Sequence, residues 1–255
     1  MNEPSRTAPG QAASPSSGGG RTLRLSCLGD SITRGQLSVD YASLLSRQRP
    51  GDLQVTRYGV NGDFAYNLLQ RLDAVLAAPA DVITVLIGTN DARASLAGYP
   101  VETVMRRKDL PTRPAAAWFE DCLVAVLERL RAESDAQLAL LSLPVLGQDL
   151  DGPAMQSSQA YSGSIARIAE AHSAAYLPLH ERQTEELRRA AARSIPFRDV
   201  TTAAFIGTAL QRLVLRRSLD SISRSRGLLL TTDHIHQNSR GAALIAQVIG
   251  EAGLY

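Results

Sequence analysis

The chain has 255 residues, 44% of them hydrophobic and 20% charged, with a formal net charge of +2. That length supports one substantial core, and so small a charge imbalance gives no argument for nucleic acid or a strongly acidic partner. Lys108 is the single lysine, and the two cysteines, Cys27 and Cys122, imply no disulfide framework.

Residues 1–20 are rich in Pro, Ser, Gly and Ala and hold no apolar run, so they can form neither a core nor a secretory h-region. They read as a disordered tail ahead of one domain over 21–255. No stretch approaches the roughly eighteen consecutive apolar residues of a transmembrane segment, and a cytoplasmic protein is expected.

Residues 23–28 (LRLSCL) read as a first buried strand that empties into Gly29-Asp30-Ser31-Ile32-Thr33. Glycine permits a sharp turn there, and Asp30 or Ser31 can cap a following helix. A helix predicted at 41–49 is closed by Pro50-Gly51, and 53–58 (LQVTRY) returns as a second strand ending in Gly59-Val60-Asn61-Gly62-Asp63. Helical periodicity then covers 64–77. Residues 81–87 (DVITVLI) are apolar almost throughout, as a strand buried on both faces should be, and lead into Gly88-Thr89-Asn90-Asp91.

The segment 92–114 is punctuated by Gly98, Pro100, Pro111 and Pro114, carries the basic run Arg106-Arg107-Lys108, and shows little helical pattern. A strong helix follows at 115–133, a fourth strand at 137–143, a loop at 144–153, a helix at 155–172 and a short fifth strand at 174–179. Strands alternating with helices in this way predict an α/β fold: a three-layer α/β/α sandwich around a five-stranded parallel sheet. By analogy with flavodoxin-like sheets the order is 2-1-3-4-5, which makes the turns holding Ser31, Gly62 and Asn90 neighbours at the ligand-binding edge. Residues 181–226 break the rhythm and predict a helical insertion: 181–193 is polar and helix-prone, and 200–222 carries a broad amphipathic stripe suited to packing on the domain or to capping a site. The last segment begins Thr232-Asp233-His234-Ile235-His236, with Asn238 or Ser239 capping a closing helix.

Ser31 stands where unpaired N–H groups of a helix's first turn would stabilise an oxyanion, which makes it a candidate nucleophile. A serine needs a base, and the base needs a carboxylate to orient it; Asp233 and His236, three positions apart, can share one side of a turn. The backbone N–H of Ser31, that of Gly62 and the Asn90 side-chain amide are chemically suited to hold the developing negative charge. His234 and His236 are too close for the usual helical pair of zinc ligands, and His172 and His180 lack accompanying ligands, so neither a metal nor any other cofactor is expected.

Gly29-Asp30-Ser31, Gly62, Gly88-Thr89-Asn90-Asp91 and Asp233-x-x-His236 together resemble the SGNH hydrolases, also called GDSL-like esterases and lipases, over nearly all of 22–255. The resemblance implies a serine nucleophile at Ser31, oxyanion donors at Ser31, Gly62 and Asn90, and a histidine base, His236, oriented by Asp233. Ile32 stands in place of the leucine of the name-giving motif, and Gly59 is a rival for the second-block glycine. The expected activity is hydrolysis of a small-molecule carboxylic ester by an acyl-enzyme route. An acyltransferase using the same residues, or an inert module binding phosphate or flavin in its glycine turns, are the alternatives. The resemblance leaves open acetylated sugars, short-chain esters, lysophospholipids and thioesters, and the sequence carries no sign of oligomeric state.

Overall fold

The computed structural model describes residues 21–199 and 217–254. The predicted tail at 1–20 and most of the amphipathic stripe at 200–222 lie outside the described residues. Strands β1 (Leu23–Gly29), β2 (Leu53–Gly59), β3 (Val82–Leu86), β4 (Gln137–Leu141) and β5 (Ala175–Leu177) form a parallel sheet in the order β2-β1-β3-β4-β5, as the sequence predicts.

The two-residue alternation of a strand sorts the sheet's side chains into two cores. Leu28, Ile83, Val85, Leu138 and Leu140 face one side, where they pack with Leu68 of α3 (Ala65–Gln70), Val75 of α4 (Leu72–Leu76), Val126 and Leu130 of α7 (Ala116–Glu133) and Ile165 of α8 (Pro153–Ala171). Leu25, Cys27, Val82, Leu86 and Leu141 face the other. There they meet Leu45 of α2 (Tyr41–Gln48), Leu179 of α9 (Leu179–Arg189) and Ile245 and Ile249 of α11 (Ser239–Glu251). The remaining described helices are short: α1 (Ser31–Arg34), α5 (Thr89–Ala94), α6 (Val101–Lys108) and α10 (Leu219–Ser225). Every strand is entered from the same end, so α1, the turn after β2 and α5 all leave from its C-terminal edge.

Three local expectations are corrected. The helix predicted over 64–77 is broken at Arg71 (φ −120°, ψ 18°), because its guanidinium turns back to the sheet and donates to Asp63 Oδ2 at 2.7 Å and to the Gly29 carbonyl at 2.9 Å. The segment 92–114 is not without helix: α6 sets Val101 and Val104 on one face and packs Val104 against Phe64 and Leu110. The fifth strand stops at Leu177 because Pro178, which has no N–H to give the ladder, stands at the N-cap of α9.

Glycine at 59 lets α1 rest directly on the end of β2. A Cβ there would lie 2.2 Å from the Arg34 nitrogen and 2.7 Å from the Thr33 carbonyl carbon, both backbone atoms with no room to yield. Gly59→Ala is therefore expected to destabilise the fold by about 1–3 kcal/mol, as other overpacked sites do, read as a lowered thermal midpoint; an unchanged midpoint would contradict this packing.

Asp91 is buried and its Oδ2 accepts from the Ala65 N–H at 3.2 Å, joining α5 to the start of α3. Burial pushes its carboxyl up to about 7 even though that hydrogen bond opposes the shift. A carboxyl raised in the folded state contributes stability that is present below its unfolded pKa, near about 4, and lost as pH rises through the folded value. Asparagine keeps the acceptor and removes the ionisation. The thermal midpoint of Asp91→Asn should thus gain on that of the wild type as pH rises from 4 to 8, and a constant gap would refute the burial of a proton at Asp91.

Candidate active site

The nucleophile candidate sits where β1 ends. Gly29 is required there, because a Cβ would fall 2.3 Å from both the Leu86 carbonyl oxygen and Thr33 Oγ1. Asp30 caps α1, its Oδ1 accepting from the Ile32 N–H at 2.9 Å, and Gly35 (φ 72°) closes the helix after one turn. So short a helix has little dipole, and one of its free N–H groups is already committed to Asp30. The Ser31 N–H remains, with no acceptor among the described residues, beside a hydroxyl that is partly accessible.

The loop before α11 carries the candidate base. Asp233 Oδ1 accepts from the backbone N–H of Ile235 at 3.2 Å and of His236 at 2.8 Å, which winds the chain so that Oδ2 meets His236 Nδ1 at 2.8 Å. Burial alone would raise the Asp233 carboxyl, but the adjacent imidazole and these hydrogen bonds outweigh it and hold the group below the usual carboxylate range. An ionised carboxylate only accepts, so Nδ1 carries the imidazole proton and Nε2 is left bare. Nε2 lies 3.0 Å from Ser31 Oγ. The structure thus brings Ser31, His236 and Asp233 into one hydrogen-bonded chain across 205 residues of sequence.

Two further turns meet beside Ser31. The one after β2 is tied to the end of β1 by Val60 N–H on the Gly29 carbonyl at 3.2 Å, and it reverses at Gly62 (φ 74°), a left-handed conformation that favours glycine. The Gly62 N–H, like that of Ser31, donates to no group among the described residues. Gly59, the rival glycine, is instead paired in β2 beneath α1. After β3, Gly88 (φ 118°) starts α5 and presents Asn90, whose Nδ2 donates to the Asp63 carbonyl at 2.9 Å and lies 3.4 Å from Asp30 Oδ2. The site candidates Ser31, Gly62 and Asn90 are therefore knitted together through residues adjacent to each.

Several supporting side chains carry no signal in the sequence pattern. Buried Asp63 receives Lys108 Nζ at 2.7 Å and Arg71 Nε at 2.7 Å, while Lys108 also donates to the Asn61 carbonyl at 2.9 Å, so the lone lysine clamps both sides of Gly62. Its place in a basic run suggests only a solvated face. Arg93, one helical turn beyond Asn90, donates from Nη1 to Asn90 Oδ1 at 2.9 Å and from Nε and Nη2 to Asp199 Oδ1 at 2.9 and 2.6 Å. Asp30, desolvated and close to Asp63, is pushed up to about 6.

Beside Asp233 opens a cleft of about 400 Å³ lined by Ile195, Pro196, Arg198, Asp199, Arg226 and His234. His234 adopts φ 72°, and the ring of Phe197 packs edge-on to its imidazole with centroids 5.8 Å apart. No group of three or more metal-ligating side chains occurs among the described residues. None of the described helices is long and apolar enough to cross a membrane.

The GDSL-like lipase/acylhydrolase family matches residues 27–244, a span that includes every candidate residue above. No curated protein matches the chain. Among solved structures, Axe2, an acetylxylan esterase from Geobacillus stearothermophilus, is similar with a TM-score of 0.64 and 17% identity over 92% of this chain and 96% of its own. The acetyl xylan esterase AlAXEase gives 0.65 and 18% over 91% and 100%, and LAE5, an alpha/beta hydrolase enzyme from the metagenome of Lake Arreo, Spain, gives 0.62 and 18% over 90% and 94%. At such identities the structural likeness is one of fold, whereas the sequence match covers most of the chain: the protein belongs to the GDSL-like lipase/acylhydrolase family and is a carboxylic ester hydrolase.

Proposed function

We propose that the chain cleaves esters of short acyl groups with polar alcohols through an acyl-Ser31 intermediate. The observation that carries this reading is the unbroken hydrogen-bonded chain from Ser31 Oγ through both nitrogens of His236 to Asp233. His236 Nε2 takes the hydroxyl proton as Ser31 Oγ bonds to the acyl carbon. Negative charge gathers on the former carbonyl oxygen, where the Ser31 and Gly62 N–H groups and Asn90 Nδ2 donate to it. The imidazolium, stabilised by ionised Asp233, returns the proton to the departing alkoxide. A water then adds to the acyl-enzyme by the same steps, its proton passing to His236 and on to Ser31 Oγ as the carboxylic acid leaves.

Asp233 keeps its charge throughout. Its two backbone donors and the ring N–H stabilise the carboxylate, so it orients the base without taking up the proton. The adjacent cleft sets Arg198, Asp199, Arg226 and His234 beside Ile195 and Pro196, so it offers a hydroxylated alcohol hydrogen-bond partners together with apolar contact. Two similar structures are named as acetylxylan esterases, and Axe2 variants at a serine, an aspartate and a histidine are described as catalytic mutants, the last two three positions apart as Asp233 and His236 are.

The wild-type chain is expected to hydrolyse nitrophenyl acetate faster than nitrophenyl octanoate. Ser31→Ala should abolish that turnover with the fold intact, and Asn90→Ala should lower kcat by about a hundredfold, the usual loss of one oxyanion donor, or about 3 kcal/mol. Undiminished hydrolysis by folded Ser31→Ala would overturn the nucleophile, and faster octanoate cleavage would overturn the acyl preference.

A further inference from the structure

We propose that Arg93 is a positioning residue for the oxyanion hole, acting through Asn90; the inference rests on Asn90 being an oxyanion donor. A side-chain amide can present either its oxygen or its nitrogen to a site, and the two orientations fill the same space. Here both neighbours dictate one orientation. The Asp63 carbonyl can only accept, so it takes Nδ2–H at 2.9 Å, and the Arg93 guanidinium can only donate, so it takes Oδ1 at 2.9 Å. Rotated by half a turn, the amide would set oxygen against oxygen and N–H against N–H. It would also aim a lone pair at the developing oxyanion.

Arg93 acts on charge as well as on orientation. The second Nδ2–H, which in the free site reaches Asp30 Oδ2 over a long 3.4 Å, is the one that turns to the oxyanion. A cation on Oδ1 draws electron density from the amide and makes that N–H a stronger donor, as in other hydrogen-bonded chains of polarised groups. The guanidinium is itself fixed at every edge. Nε and Nη2 grip Asp199 Oδ1, and its carbon lies 5.4 Å from the centre of the Tyr99 ring. Its side chain is only 13% exposed, so water offers Asn90 Oδ1 no equal replacement. Arginine at i+3 from the amide on α5 is well placed for this, since one helical turn separates them. Asp199 lines the cleft beside His234, so the brace joins the oxyanion hole to the wall of that cleft.

The test is a double-mutant cycle on kcat for nitrophenyl acetate with wild type, Arg93→Met, Asn90→Ala and the double variant. Methionine keeps the packing volume and removes every donor. Arg93→Met is expected to lower kcat about tenfold with KM within about twofold, and in the Asn90→Ala background the same substitution should change kcat by less than about twofold. Arg93→Lys, which can supply one donor but not the fork, should fall between. Equal losses from Arg93→Met in both backgrounds, or no loss in either, would overturn the proposal. Should Arg93→Met fail to fold, Asp199→Asn takes its place in the cycle, with a smaller loss of kcat expected, again only where Asn90 is present. The wider reading fails separately: if Asn90→Ala alone leaves kcat unchanged, the oxyanion assignment itself falls, whatever Arg93 does.

Discussion

The site depends on a loop near the carboxyl end of the chain being held against a segment near its beginning. Gln237 N–H donates to Ser38 Oγ at 3.0 Å, and its carbonyl accepts from Val39 N–H at 2.8 Å. Gln183 of α9 donates to the Gln237 side chain at 2.7 Å and accepts from Val145 N–H at 3.0 Å. Individually such hydrogen bonds contribute about 1 kcal/mol, whereas each large apolar side chain fully buried contributes about 1.5–3 kcal/mol. The hold therefore comes from α11, whose Ile245 and Ile249 are wholly buried against the sheet. The hydrogen bonds set the register, and that register puts His236 Nε2 within 3.0 Å of Ser31.

Asp30, Asp91 and Asp233 are buried carboxyls around this register, and their environments divide them. Asp233 receives two backbone N–H groups and the imidazole, and it is held ionised. Asp30 and Asp91 are as deeply buried with fewer donors, and desolvation raises them to about 6 and about 7. In the proposed mechanism a carboxylate next to the histidine is useful only if charged, because it is there to stabilise an imidazolium. The other two serve geometry: Asp30 caps α1 and Asp91 pins α3, both of which an acceptor oxygen does in either protonation state.

The strands and their alternation with helices were legible because they follow from short-range pattern, whereas their order came by analogy with flavodoxin-like sheets. Leu25 and Cys27 alternate with Leu28, Ile83 and Val85 with Val82 and Leu86, and β1, β2 and β3 each end in a glycine-bearing turn. The candidate site was legible where a residue's chemistry and its place after a strand coincide, as for Ser31, Gly62 and Asn90. The break at Arg71 was not, since apolar periodicity runs through it and its cause lies in Asp63 and the Gly29 carbonyl, distant partners that no local pattern names. Helix α6 was hidden by the surrounding prolines. It did carry a signal of another kind, with Glu102 in its first turn and Arg106, Arg107 and Lys108 in its last, the distribution that complements a helix dipole. Arg93, Lys108 and Asp199 look like ordinary surface charges until the fold places them around the candidate oxyanion donors.

The central claim is that His236 makes the Ser31 hydroxyl nucleophilic. Incubating the protein with a fluorophosphonate and mapping the adduct by peptide mass spectrometry tests it most directly, because displacement of fluoride needs an activated hydroxyl and no particular ester specificity. One phosphonyl group on the peptide containing Ser31, formed at a rate that collapses in folded His236→Ala, is the result this structure predicts. Modification of a different residue, or labelling of Ser31 that is indifferent to the loss of His236, would contradict it.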